Sequence, residues 1–442
     1  ADPEPVPQDT VEADGDTTQT DTLNELEPFG QVPAISEIVM YEVNLRAFSP
    51  SGTFDGVAAR LDDLERMGVN VLWLMPVYPI GEENSVNSPY SVRNYKAVAS
   101  EYGTKEDLKA LVAGAHEHGM AVILDWVANH TAWDNSWISN KDWYTQDAQG
   151  NIVHPPGTNW LDVADLNFEN DQMRLAMIEA MQYWVKAANI DGYRCDYADG
   201  VPFNFWQQAI DSLEAMPGRD LLLLAEGNRA DHFAAGFDLN YSWEYYEALK
   251  SVFNGQTAQH LVDVHNHEYT GIPDGGHKLR FTTNHDESAW DATPITLFGG
   301  KQGATVASAV TTFLGGVPLL YTGQETGRED VVPFFSNDPI NWGANPGMLA
   351  EYEALMAFYA TSSAAQAGMQ ANYTTENIVC FTKNSSAQEL CVVANVRNEA
   401  LSFSVPAALQ GSEWTDLHSG RSLALANSLS LDNYQYHILY KD

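Results

Sequence analysis

The sequence predicts a parallel (β/α)8 barrel with one large insertion, followed by a C-terminal antiparallel β-sandwich. Three observations carry this reading. From about residue 34, strand-sized apolar runs alternate with segments of helical periodicity eight times, over roughly the 330 residues that such a barrel with long loops occupies. The apolar runs, among them VLWLMPV and LLLLA, are nearly continuous, as in strands buried on both faces. Beyond residue 363 the texture changes to short alternating strands separated by turns, in NIVCFTKN, ELCVVANV, LSFSV and YQYHILY.

The elements follow in order. Residues 1–33 are rich in Asp, Glu, Thr, Pro and Gln, and the first basic residue is Arg46. Such a segment buries too little apolar surface to offset chain entropy, so a disordered acidic leader is expected over 1–33. IVMYEVNL reads as the first strand, and VAARLDDLERMG as a helix that stops at Gly68. After the strand VNVLWLMPV comes TKEDLKALVAGAHEHG, a helix with Thr104 as N-cap and Gly119 as its end. AVILDWV is the third strand. An insertion over about 130–165 follows it, with Trp133, Trp137, Trp143 and Trp160, too many for a plain turn. The remaining strands are DGYRCD, LLLLAE, FDLNYSW, FTTNHD and VPLLYTG, with helices such as MRLAMIEAMQYWVKAAN and GATVASAVTTFLGG between them. The barrel is thus assigned to 34–362 and the sandwich to 363–442.

Composition narrows the partners. Of 442 residues, 44% are hydrophobic, and no apolar run approaches the roughly 18–20 residues of a membrane span. Sixty Asp and Glu against 22 Lys and Arg give a net charge of -38, which argues against nucleic acid and anionic membranes as partners. The acidity reads as a solvated surface suited to salt, which screens self-repulsion. Cys195 reads as an inert buried thiol. Cys380 and Cys391 flank a turn and would face each other across a hairpin, where a disulfide would imply an oxidising compartment.

The candidate chemistry lies at three strand ends. Asp196 closes DGYRCD, Glu226 closes LLLLAE and Asp286 closes FTTNHD. Catalytic groups of a parallel barrel collect at the carboxyl ends of its strands, and paired carboxylates there are what glycoside hydrolysis requires. Arg194 lies two residues before Asp196 and so on the same strand face, where its charge would keep Asp196 ionised. Glu226, ending an apolar strand, would have a raised pKa suited to an acid.

From about residue 38 onward the sequence resembles the α-amylase family, glycoside hydrolase family 13. DWVANH (125–130), GYRCD (192–196), LLAE (223–226) and FTTNHD (281–286) are similar to its four strand motifs. GVNVLWLMP, SPYSVRNY, ADLN and GVPLLYTGQE are similar to its secondary signatures. The resemblance implies Asp196 as nucleophile, Glu226 as general acid/base and Asp286 as stabiliser of the transition state. It also implies that Tyr90 is a stacking platform and that His130 and His285 are hydrogen-bonding partners of one glucose ring. Trp133 and Trp290 are further candidate sugar contacts, and the other insertion tryptophans are assigned to packing. No cofactor is implied for the chemistry. A structural calcium is suggested by Asn129 and Asp165, which match two ligating positions, although six or more oxygens are needed.

The chain departs from the family where many members have Lys-His after the nucleophile: here stand Asp199 and Gly200. DYADGVPFNFW looks more like the cyclomaltodextrinase and neopullulanase branch, whose extra N-terminal domain is not recognisable in the acidic leader. The expected function is retaining hydrolysis of α-1,4 bonds in starch or maltooligosaccharides. Glucan transfer, cyclomaltodextrinase or α-glucosidase activity and, last, a non-catalytic glucan-binding barrel are the other readings. The expected protein is a monomer, secreted, periplasmic or surface-anchored, from a salt-adapted bacterium.

Overall fold

The computed structural model describes residues 26–442. Eight parallel strands close a barrel: β1 (Met40–Val43), β2 (Val71–Leu74), β3 (Ala121–Val127), β6 (Gly192–Asp196), β7 (Leu222–Ala225), β8 (Leu239–Tyr241), β9 (His277–Arg280) and β10 (Val317–Tyr321). The two strands between β3 and β6, β4 (His130–Ala132) and β5 (Val163–Asp165), pair into an antiparallel ribbon that anchors the insertion.

Side-chain alternation sorts each barrel strand into two cores. Met40, Val71, Trp73, Ile123, Leu222, Leu224 and Leu279 point into the barrel. Tyr41, Leu72, Leu74, Val122, Leu124 and Leu223 point outward and pack under the helices. With a period of two, the next inward position at the C-terminal end of β1 is Glu42; at β3 and β7 the inward runs reach Asp125 and Glu226, and on β6 Arg194, level with Asp125, is followed by Asp196. The barrel is therefore apolar through its middle and acidic at its top.

The local signals behave as their chemistry requires. Thr104 caps the helix Lys105–Glu117 through a reciprocal capping box with Asp107. Gly68 has φ +86, and a Cβ there would approach the Ala357 backbone to 2.8 Å, so the chain turns where no other residue fits. The predicted helix before it is instead two short helices, Phe54–Ala58 and Leu61–Arg66.

Three expectations are corrected. First, FTTNHD is not strand: β9 ends at Arg280, and Asp286 lies in the first turn of the helix His285–Trp290, whose N-cap Asn284 accepts from the Asp286 and Glu287 N–H groups. Secondly, the segment assigned to a leader over 1–33 lies outside the described residues up to 25, but its last part packs on the barrel. Phe29 stacks on His116 at 4.2 Å, and Phe29 and Val32 pack against the barrel-interior core. Thirdly, Cys380 and Cys391 do not face each other. Cys380 is opposite Val393 and Cys391 opposite Thr382, so the two buried thiols are diagonal neighbours and both are free.

The C-terminal region forms a six-stranded antiparallel sheet and a two-stranded one. The first contains β11 (Met369–Asn372), β12 (Ile378–Asn384), β13 (Glu389–Asn395), β15 (Glu413–Asp416), β16 (Ser422–Ala424) and β18 (Tyr436–Lys441). The second pairs β14 (Leu401–Ser404) with β17 (Ser428–Leu431). Cys380, Cys391, Val393, Phe403 and Leu431 fill the space between the sheets, while Val379, Phe381, Leu390 and Val392 join the core shared with the barrel. Both faces of β12 and β13 are thus buried.

One buried acid outside the cleft gives a stability prediction. Glu325, fully buried after β10, accepts a hydrogen bond from the Tyr41 hydroxyl at 2.7 Å, and burial raises its pKa to about 7. A folded-state pKa above the unfolded value means that stability is complete below about 4.5 and lost as pH rises through about 7. The loss amounts to about 3 kcal/mol. Glu325→Gln keeps an acceptor for Tyr41 and removes the titration. Melting temperatures measured from acid to alkaline pH are expected to fall less steeply in the variant than in the native protein. Parallel curves would contradict this role.

Candidate active site

The inward residues at the top of the barrel converge on Arg194. This guanidinium is fully buried. Its Nη1 donates to Asp125 Oδ1 at 2.8 Å and to Asp196 Oδ1 at 2.9 Å, and its Nε donates to the Tyr241 hydroxyl at 3.2 Å. Nη2 lies 2.7 Å from Glu226 Oε1 in ion-pair contact. The same cation lies 5.0 Å from the Trp73 ring centre. One positive charge is thus shared among three carboxylates from β3, β6 and β7.

Arg194 favours ionised Asp196, as expected, but it does so against two larger effects. Burial and then the charge of Glu226 push Asp196 well above the usual carboxylate range, and Arg194 only opposes them. Burial also raises Glu226, against Arg194 and the Tyr197 N–H, which donates to Glu226 Oε2 at 2.6 Å. Two neighbouring carboxylates with one shared cation release their protons in two separate steps, so the free pair retains a proton over a pH range where isolated acids would not. Arg194 itself does not line the cleft. It acts from beneath, and its expected contact with substrate is corrected to support of the acids.

The opposite wall holds a second charge cluster. His285 donates from Nδ1 to Glu42, and its Nε2 lies 2.8 Å from the Tyr90 hydroxyl and 3.4 Å from Asp286 Oδ2. Burial opposes its charge, yet Asp286 and Glu42 outweigh it and raise His285 to about 9. His130 differs: burial lowers it to about 4, and it is neutral. One histidine therefore offers a cationic donor and the other an uncharged ring. The Tyr90 hydroxyl also reaches Asp125 Oδ2 at 3.0 Å, and its ring forms a three-way cluster with His285 and Phe334, whose centres are 5.3–5.8 Å apart.

Asp196, Glu226, Asp286, His130, His285 and Tyr90 line one cleft of about 1000 Å³, together with Trp160, Leu161, Tyr197, Trp290 and Phe335. Trp290 is 67% exposed at its rim. Trp133 is not part of the lining. Its indole N–H donates to the Leu161 carbonyl at 3.0 Å, which holds the insertion loop. Trp160, assigned by sequence to packing, takes the place in the cleft expected of Trp133. Glu42 and Asp125 were missed as well. The signal for both is an acid at an inward position of an otherwise apolar strand.

Asn129 and Asp165, the two suggested calcium positions, flank His130, with Asp165 paired to it across the β4–β5 ribbon. The Asn129 amide lies 3.3 Å from His130 Nδ1, and burial raises the Asp165 carboxyl pKa against the opposing effects of Thr145 and His154. Two oxygen-bearing side chains fall short of the six or more that a hard cation takes. Among the described residues, the one grouping of three acidic or histidine side chains at ligand spacing is Asp62, Glu65 and His118, none of which lines the cleft.

Comparison with known proteins gives the following similarities. The model of the alpha amylase catalytic domain matches residues 11–403. Alpha-amylase MalA of Haloarcula japonica is 26% identical over 419 residues, covering 89% of this chain and 60% of the relative, so the chain spans less than two thirds of that protein. The crystal structure of a maltogenic alpha-amylase, AmyB from Thermotoga neapolitana, superposes with a TM-score of 0.83 at 25% identity, covering 92% of this chain and 99% of the other. An alpha-amylase from Lactobacillus plantarum superposes with a TM-score of 0.80 at 26% identity over the same shares.

Proposed function

The chain belongs to the α-amylase family of glycoside hydrolases, and from that premise we propose that it cleaves α-1,4-glucosidic bonds of starch and maltooligosaccharides with retention of configuration. The observation that carries this reading is the register of β6 and β7. Cys195 is paired with Ala225, so Asp196 and Glu226 follow at facing positions of adjacent parallel strands. Adjacent strands lie about 4.7–4.9 Å apart. Carboxyls leaving them in the same direction suit the roughly 5–5.5 Å of a retaining pair rather than the roughly 6.5–9.5 Å that leaves room for an intervening water.

In the proposed double displacement, Asp196 attacks the anomeric carbon while Glu226 gives its proton to the departing glycosidic oxygen. Glu226, now ionised, then takes a proton from water, which displaces Asp196 and restores the original anomer. Asp286, cationic His285, neutral His130 and the Tyr90 ring hold the sugar on which this occurs. A cleft of about 1000 Å³ is at the upper end of small-ligand sites and suits several sugar units. We assign the activity to the outside of the cell, where a polymeric glucan would be met, and to a monomer. No helix among the described residues is long and apolar enough to cross a membrane.

The test is to follow the anomeric signal of fresh products from maltoheptaose by NMR. The α-anomer is expected to appear first and to mutarotate afterwards. An initial β-anomer would refute double displacement.

A further inference from the structure

We propose that Tyr197 is a positioning and specificity residue: its backbone aims Glu226, and its ring forms with Trp160 the platform for the sugar that leaves. The inference rests on the hydrolase reading above and names a part of the cleft that reading leaves unassigned.

Tyr197 directly follows Asp196, and its backbone is left-handed, with φ 42 and ψ 47. A bulky side chain is a genuine outlier there and persists only where surrounding contacts over-determine it. Those contacts run to the end of β7 and to the loop and helix that follow it. The Tyr197 N–H donates to Glu226 Oε2 at 2.6 Å, and the Ala198 N–H donates to the Glu226 carbonyl at 2.9 Å. The Asp199 carboxylate accepts from the Asn228 N–H at 3.2 Å and lies 3.2 Å from His232 Nε2. With Glu226 Oε1 against Arg194, the N–H at Oε2 fixes the plane of the carboxyl group. The turn after the nucleophile thus orients the acid.

The ring has a separate part. Tyr197 is 37% exposed in the cleft, and it meets Trp160 edge-on at 5.0 Å. Trp160 in turn meets His130 at 5.6 Å, so one aromatic wall runs from the sugar-holding histidine to the acid. A Cβ on residue 200 would lie 2.1 Å from the Tyr197 ring, so the glycine that sets this chain apart at that position is the space the ring occupies. Glu226 protonates the departing oxygen, so the sugar beside Tyr197 is the leaving group in the first step. In the second step the same place receives any acceptor sugar. An exposed ring there offers its face to the apolar face of that sugar.

The test compares maltotetraose with α-maltosyl fluoride, whose leaving group carries no sugar and needs little protonation. Tyr197→Gly keeps the N–H in place and removes the ring. Its KM for maltotetraose is expected to rise about tenfold, the factor corresponding to about 1.4 kcal/mol of contact, with a clearly smaller loss on the fluoride. Transfer products at high maltotetraose should fall in parallel, and Tyr197→Phe should restore both values. Tyr197→Val, which resists the left-handed backbone, should also weaken the N–H contact. That contact lowers the Glu226 pKa, so the alkaline limb of kcat/KM should move upward in Tyr197→Val and not in Tyr197→Gly. Equal losses on both substrates in Tyr197→Gly, or an unchanged KM for maltotetraose, would overturn the proposal. Failure of the hydrolase reading would be distinct: the native enzyme would not release α-maltose from the fluoride.

Discussion

Glu226→Gln is expected to reduce hydrolysis of starch by about 10²–10⁴-fold, the range that general acid–base catalysis supplies. Asp196→Gly should reduce it further, because no covalent intermediate can form. The two losses are separable by an anionic nucleophile. With a fluoride as leaving group, Glu226→Gln can still form the glycosyl–Asp196 ester, because fluoride departs without a strong acid. Its slow step is then attack by water without a base. Azide needs no base, so it should restore turnover of Glu226→Gln and give the α-glycosyl azide, the product of two inversions. In Asp196→Gly the space left by the carboxylate admits azide directly, and one inversion gives the β-azide. Melting temperatures within a few degrees of the native value would confirm that the folds are intact. Turnover of starch by Glu226→Gln near the native rate would refute its role, and a β-azide from that variant would exchange the two assignments.

Much of the site was legible because a strand encodes direction in alternate residues. Asp196 and Glu226 could be found as polar residues closing apolar runs, and the same alternation puts Arg194 on the face of Asp196. What the sequence left open was how many neighbours each group has. Arg194 serves three carboxylates because β3, β6 and β7 are consecutive in the barrel, and β3 is remote from them in sequence. Asp286 was found, but its element was misread: Thr282, Thr283 and Asn284 continue a plausible strand pattern until Asn284 turns its side chain to cap a helix. Trp133 and Trp160 were exchanged because an irregular loop has no period from which facing could be read. The last part of the supposed leader, around Phe29 and Val32, packs on the barrel because two apolar side chains can close its lower end, which composition averaged over 1–33 conceals.

The charge arrangement around Arg194 explains why one buried cation supports two unlike acids. A pair of carboxylates with a full cation each would both be anions and neither could donate a proton. A pair with none would both be neutral, and no nucleophile would exist. One guanidinium, shared with Asp125, leaves an intermediate state in which a proton is retained within the pair. Burial strengthens each of these terms, because charges in the barrel interior are poorly screened.

Arg194→Met should accordingly destabilise the protein strongly at neutral pH, by about 3–5 kcal/mol, the cost of leaving buried charge uncompensated. Methionine approximates the length of the arginine stem, so the effect comes from charge more than from a cavity. The pH dependence distinguishes the two causes. Without the cation, Asp125, Asp196 and Glu226 face one another in the barrel, and the folded-state pKa values of Asp196 and Glu226, already raised, move further above those of the unfolded chain. Stability relative to the native protein is then retained in acid, where the carboxyls are neutral in both states, and lost as pH rises through the raised values. The difference in melting temperature between variant and native protein should therefore be larger near pH 8 than near pH 5, a direction set by linkage. Adding Asp125→Asn removes one of the unpaired charges and should recover part of the loss at the higher pH. A difference that is constant across pH would assign the damage to packing against Trp73 and Tyr241 instead. Unaltered stability at neutral pH would show that the three carboxylates do not depend on this cation.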